Sequence, residues 1–193
     1  IPWVQGGTIE IALSEEQHKT LEKYMVLGKE NGLTEEDISI LDSNELKQKE
    51  PNLSCYSGLY CTKEGSTNYG LLTKAISELS KKNGTNFLLK HNAKYIEETS
   101  KQVNIIFSDN SSLTANFIIN CAGGNSLDVA KKFRLLKDYS DLHFRGEYWV
   151  ADSHIANLVK TNIYTVPRYP EFPFLDPHWI KRANGETEIG PNA

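Results

Sequence analysis

Apolar and polar positions change rhythm several times along the chain, and each change marks an element. Thr8 to Leu13 alternates as a strand. Ser14 and Gln17 have capping-box spacing for a helix that runs to Asn31-Gly32 and carries Leu21, Tyr24, Met25 and Gly28 on one face. Asp42 and Glu45 repeat the capping signal for a shorter helix, which must stop at Glu50-Pro51 because a residue before proline avoids the α region. A strand is predicted near Leu59–Cys61. Leu72, Ala75, Ile76 and Leu79 then mark a helix closed by Asn83-Gly84. A β-rich stretch follows: Asn86–Leu89, Ala93–Glu97, Gln102–Phe107, a turn at Asp109-Asn110-Ser111, and Leu113–Cys121. Val103, Ile105 and Phe107 alternate with polar neighbours, as in a half-exposed strand. Phe117-Ile118-Ile119 is continuously apolar, which predicts a strand of a parallel sheet buried on both faces. That strand empties onto Gly123-Gly124, and Ser126 is placed to cap another helix. Strands at His143–Ala151, Asn162–Val166, His178–Arg182 and Glu186–Ile189 complete the pattern.

Composition narrows the function more by exclusion than by suggestion. The chain has 193 residues, 39% hydrophobic and 24% charged, as expected of a globular chain able to bury a core. A net charge of −4 offers no bulk attraction to nucleic acid. No apolar run approaches the roughly 20 residues of a transmembrane helix. Three cysteines without C-x-x-C spacing, and five scattered histidines, indicate neither a disulfide framework nor a metal site. A reducing, cytoplasmic setting is therefore expected.

The segment Asn120-Cys121-Ala122-Gly123-Gly124-Asn125-Ser126 is the first candidate for chemistry. Glycine lets the backbone turn sharply and lets a ligand approach it, and a helix start beyond a strand suits a phosphate or a flavin edge. Four blocks extend the signal: Phe144-Arg145-Gly146-Glu147-Tyr148-Trp149, Asn162-Ile163-Tyr164-Thr165-Val166-Pro167, Phe172-Pro173-Phe174-Leu175, and Glu188-Ile189-Gly190-Pro191-Asn192-Ala193. With these in order, the chain resembles the flavin-dependent amino-acid-oxidase (DAO) superfamily, and within it the L-2-hydroxyglutarate oxidase/dehydrogenase group. The resemblance covers nearly the whole chain and is densest from residue 117 to 193. It implies an α+β or α/β fold, with a substrate-binding domain on a mixed or antiparallel sheet and part of a Rossmann-like FAD-binding domain. The expected division is 1–65 for the first part of the substrate domain, 66–139 for the partial FAD-binding domain and 140–193 for the second part.

The same resemblance implies FAD as cofactor and hydride transfer from an L-2-hydroxy acid to flavin N5. The family's G-x-G-x-x-G turn for the pyrophosphate occurs nowhere here. The expectation is an internal fragment that does not hold FAD by itself and is partnered by the remaining parts of its own polypeptide. Cys121, Ala122, Gly123, Gly124 and Ala93 are the implied cofactor-binding positions, acting through their backbones. For a small-molecule carboxylate substrate, Arg145 is the implied clamp, because a guanidinium matches a carboxylate in a planar fork. A surface ion pair with Glu147 is its alternative role. Tyr164 is the implied donor to a substrate oxygen, and His178 matches a family histidine. Tyr148 and Trp149 suit either pocket or core, and Arg168 and Arg182 are further cations. The catalytic base is unknown and expected outside this chain. Two departures leave the substrate open: Asp176-Pro177 precedes His178 where the family has Gly-Val, and Arg168-Tyr169-Pro170-Glu171-Phe172 replaces a shorter segment. Glycerol-3-phosphate oxidation, amine oxidation and a non-catalytic assembly subunit are the alternatives.

Overall fold

The computed structural model describes residues 1–172 and 176–192. Pro173, Phe174, Leu175 and Ala193, which contribute to two of the family-like blocks, lie outside the described residues. In chain order the elements begin with β1 (Trp3–Val4), β2 (Thr8–Ala12), α1 (Glu15–Glu30), β3 (Ile38–Asp42), α2 (Ser43–Lys49), β4 (Ser57–Cys61), β5 (Ser66–Thr67) and α3 (Tyr69–Lys82). They continue with β6 (Ala93–Glu98), β7 (Val103–Phe107), β8 (Ser112–Ala115), α4 (Ser126–Lys132), β9 (Glu147–Val150), α5 (Ser153–Ala156), β10 (Asn162–Thr165), β11 (His178–Lys181) and β12 (Thr187–Asn192). Two compact units result, Ile1–Leu79 with Phe144–Ala193, and Ser80–His143.

The first unit is built on a seven-stranded mixed sheet ordered β3-β4-β2-β10-β11-β12-β9. Inside it, β2 is antiparallel to β4 and parallel to the central strand β10. Alternation along β2 sends Ile9 and Ile11 to one face, where they pack with Ile163, Val159 and Leu46 of α2. Ala12 joins Leu59, Ile38, Val166 and Leu21 of α1 in a second cluster. The caps form locally. Ser14 accepts from the Gln17 N–H, while the Gln17 side chain accepts from the Leu13 N–H at 2.7 Å and donates to the Val166 carbonyl at 3.2 Å. At α2 the Asp42–Glu45 capping box is complete. Glu50, at the α2 C-terminus, is fully buried. Its carboxylate accepts from the N–H groups of Lys160 (3.0 Å) and Thr161 (2.8 Å) and from the Thr161 hydroxyl (2.9 Å). This contact holds the entry of β10 against α2.

The first junction falls later than residue 65. β5 pairs with β1, Thr67 Oγ1 donates to the Pro2 carbonyl at 2.7 Å, and Ser66 Oγ donates to the Lys181 carbonyl, so residues 66 and 67 are tied into the first unit.

The second unit contains the antiparallel meander β6-β7-β8, turned at Asn110 with positive φ. Several expectations for residues 86–151 fail. Asn86–Leu89 is irregular, and only Ser112–Ala115 of the segment 113–121 is strand. Phe117 and Ile119 are 87% and 86% exposed. A parallel strand needs neighbours to pair with, and among the described residues this run has none; the sheet's parallel pair is β2 with β10 instead. Ser126 is the first residue of α4 and not its cap: its hydroxyl donates to the Gly123 carbonyl, while Asn120 accepts from the Ala122 N–H and donates to the Ser126 carbonyl. The strand expected at His143–Ala151 shortens to β9.

Candidate active site

Two of the implied substrate residues meet on the sheet of the first unit. Tyr164 on β10 and His178 on β11 stack with ring centroids 4.6 Å apart and planes at 22°. Glu10 on β2 lies in register with Tyr164, and His178 lies opposite Gly190 on β12. A Cβ at Gly190 would come within 2.6 Å of the Glu147 carbonyl and about 3.0 Å of the Tyr148 side chain, at φ +152°. Glycine therefore allows β9 to close over this position, and Tyr148 leans onto His178. The two rings meet edge to face at 5.7 Å, and the Tyr148 hydroxyl lies 3.3 Å from His178 Nε2.

Hydrogen bonding fixes the imidazole. Nδ1 lies 3.2 Å from the Asp176 carbonyl, which can only accept, so Nδ1 carries the proton and Nε2 accepts from Tyr148. Asp176 is itself anchored, accepting from the Arg168 N–H at 2.8 Å and from its guanidinium at 2.9 Å. That guanidinium holds the Asp176 carboxyl below its usual range. His178 is only 5% exposed. Burial pushes its pKa down and the Arg182 charge adds to this, against a smaller upward pull from the Asp176 carbonyl. Burial also raises the Tyr164 phenol, reinforced by the charge of Glu64, and both causes likewise raise Glu10. Arg182 sits 5.8 Å over the Tyr148 ring and is bound through Nε and Nη2 to Glu188.

Arg145 stands outside this stack. Its side chain is 87% exposed and pairs with Glu147 at 3.4 Å. An exposed pair of this kind is weak. Tyr148 and Arg182 belong to the constellation more intimately than the sequence indicated. The signal for Arg182 was its even spacing from His178, which carries the face of β11 one residue past the strand end. No sequence signal pointed to Gly190 as the position that makes room for Tyr148.

In the second unit, the positions that the resemblance implies for the cofactor lie on the segment leading into α4 and at the start of β6. Gly123 has φ +57°, a conformation that L side chains rarely adopt, and nothing lies within 4 Å of a Cβ built on Gly123 or Gly124. Cys121 is exposed. Lys132 Nζ donates to the Ala93 carbonyl, joining α4 to β6. An open, side-chain-free backbone at 123–124 fits the close approach that a flavin's diphosphate or ribityl chain requires. Among the described residues, no helix is long and apolar enough to cross a membrane.

Comparison with known proteins agrees with this geometry. The chain is 32% identical over 198 residues to the L-2-hydroxyglutarate dehydrogenase, mitochondrial, of Caenorhabditis briggsae, with all of this chain and 45% of that protein covered. It is 33% identical over 194 residues to the L-2-hydroxyglutarate dehydrogenase of Indibacter alkaliphilus, again over the whole chain and 48% of that protein. The chain thus spans about half the length of the curated relatives it matches. Among solved structures, the FAD-bound L-alpha-glycerophosphate oxidase of Mycoplasma pneumoniae superposes with a TM-score of 0.78 at 18% identity, over 99% of this chain and 50% of that one. The family model described as FAD dependent oxidoreductase matches residues 1–193. With its mixed α/β fold and a match along its entire length, the chain belongs to the DAO family of FAD-dependent oxidoreductases, and FAD is the cofactor of the intact enzyme.

Proposed function

We propose that the intact enzyme oxidises an L-2-hydroxy acid of the L-2-hydroxyglutarate type, with a substrate site built from Tyr148 and Tyr164 and backed by the buried His178. The observation that carries this reading is the buried, tautomer-fixed His178 stacked on Tyr164 and bonded to a half-exposed Tyr148. The relatives named L-2-hydroxyglutarate dehydrogenase support the substrate class. FAD, when bound, supplies the two-electron acceptor for the hydride that leaves the carbinol carbon. Arg145 is the carboxylate clamp in this reading, since its pairing with Glu147 is exposed and long at 3.4 Å, whereas Arg182 is already committed to Glu188. Tyr164 orients the reacting oxygen. Gly123 and Gly124 provide unobstructed backbone for the cofactor, flanked by Cys121 and Ala122, with Ala93 on the neighbouring strand. The remaining polypeptide covers Phe117 and Ile119, whose exposure leaves an apolar run without a strand partner. The free, exposed Cys121 supports a reducing compartment, the cytoplasm.

The test is anaerobic addition of candidate substrates to the FAD-loaded enzyme, followed by bleaching of the flavin absorbance. L-2-hydroxyglutarate should reduce the flavin while its D enantiomer does not. Reduction by glycerol 3-phosphate or glycine, with none by 2-hydroxyglutarate, overturns the substrate class. Arg145→Met should lower kcat/KM by roughly 30- to 1000-fold with flavin content unchanged, the loss of one charge-assisted pair.

A further inference from the structure

The sequence leaves the catalytic base unnamed, and the geometry lines up Tyr148, His178 and the Asp176 carbonyl in one hydrogen-bonded row. We propose that Tyr148 receives the proton of the substrate hydroxyl and passes its own phenolic proton to Nε2 of His178. The inference rests on the hydroxy-acid reading above and adds the acid–base chemistry of the same site.

Three observations set the direction of the path. His178 Nδ1 is spent on the Asp176 carbonyl at 3.2 Å, so the imidazole's one vacant lone pair is on Nε2. Nε2 faces the Tyr148 hydroxyl at 3.3 Å, and Tyr148 is 40% exposed while His178 is buried beneath it. Tyr164 is stacked nearly parallel on the imidazole, so its face and not its hydroxyl meets the ring. Among the described residues, Tyr148 is thus the polar group through which His178 reaches outward.

The proton count balances. The substrate O–H breaks as an O–H forms on Tyr148. The original Tyr148 O–H breaks as an N–H forms on His178, leaving a neutral phenol and an imidazolium. The electron pair left on the substrate oxygen closes the C=O bond as the carbinol hydrogen departs with its own pair to the flavin, the two-electron oxidant. The groups that set the charge of His178 are Tyr148 on β9, Tyr164 on β10, Asp176 with its partner Arg168, Arg182 just beyond β11 and Glu188 on β12. Glu64 and Tyr69 act on Tyr164. Burial, with a smaller contribution from Arg182, disfavours the charged ring and outweighs the Asp176 carbonyl, which favours it. The carbonyl of Asp176 supports the imidazolium once it forms.

Two measurements test the relay separately from the substrate class. Nitrogen-15 NMR of the histidine rings in this chain, without substrate, should show His178 as the Nδ1–H tautomer with Nε2 unprotonated at neutral pH. An Nε2–H tautomer overturns the proposal whatever the substrate is. In the FAD-loaded enzyme, Tyr148→Phe keeps the aromatic ring and should lower kcat roughly 100-fold with KM little changed. The acidic limb of its pH profile, which reports His178, should disappear. A Tyr148→Phe enzyme with near wild-type kcat and an intact acidic limb overturns the relay even where 2-hydroxyglutarate remains the substrate. If an amine proves to be the substrate while the Nδ1–H tautomer is found, the hydroxy-acid reading has failed and the relay falls with its proton donor.

Discussion

Two stretches that each carry a pair of isoleucines, β2 and the Phe117-Ile118-Ile119 run, meet opposite fates in this molecule. Ile9 and Ile11 on β2 lie between β4 and β10, with Leu46 and Val159 packed against them, and Ile9 is wholly inaccessible. Phe117 and Ile119 have the same apolar character and no strand on either side among the described residues. The two long helices repeat the contrast: α1 buries Leu21, whereas α3 leaves Leu71, Ile76 and Leu79 exposed. An apolar pattern specifies which surface a segment would bury; only a matching surface decides whether it does.

The contrast is broken most directly at its two ends. Ile9→Ala should cost about 3–4 kcal/mol of unfolding free energy, from lost transfer and the residual cavity, measured by urea denaturation. A cost under about 1 kcal/mol would mean that the β2 cluster is loosely packed. Glu50→Ala should cost about 2–3 kcal/mol by the same assay, because the buried Thr161 donors and the part-buried Lys160 N–H lose their acceptor. The expected loss is a property of the donors left behind, so Glu50→Gln, which keeps one acceptor oxygen, should fall between Ala and the native residue.

The next test sharpens the comparison with pH. The native His178 has a pKa below its ordinary value of 6.5, so the folded state resists protonation more than the unfolded chain does. The stability this contributes is complete above about pH 6.5 and is lost as pH falls through the lower native value. Unfolding free energy should therefore decline on acidification in that window, and His178→Gln should flatten the decline. The carboxyl of Asp176, lowered from 3.8 by Arg168, acts in the same direction at more acid pH and is separable from it. The smallest effect belongs to the exposed run. Ile119→Ser should change stability by no more than about 0.5 kcal/mol while reducing self-association in light scattering. A cost comparable to that of Ile9→Ala would show that the run is buried in solution.

What the sequence revealed follows the same division. Ser14, Asp42 and Glu45 announce α1 and α2 because a cap is a contact between residues two or three positions apart. The meander was legible because alternation and the turn at Asn110 are equally local. The family resemblance named Tyr164 and His178 as candidates, but nothing in the sequence showed their stacking, since it depends on β10 and β11 becoming neighbours. Tyr148's place over His178 depends on a missing side chain at Gly190, forty-odd residues away in sequence and adjacent across the sheet. The Phe117 run was misread because periodicity measures the tendency to be buried and says nothing of whether a partner is present.

The grip of Glu50 on Thr161 has a consequence for how this architecture can vary. It closes a loop across 111 sequence positions, and everything between β4 and β10 travels inside that loop. Closure entropy grows only logarithmically with length, so doubling the enclosed stretch costs roughly 0.6 kcal/mol. Insertions at exposed turns such as Asp109-Asn110-Ser111 should leave the pairing of β2 with β10 undisturbed. Length within the excursion is therefore a nearly free variable, while the register of the strands that position Tyr164 and His178 is not.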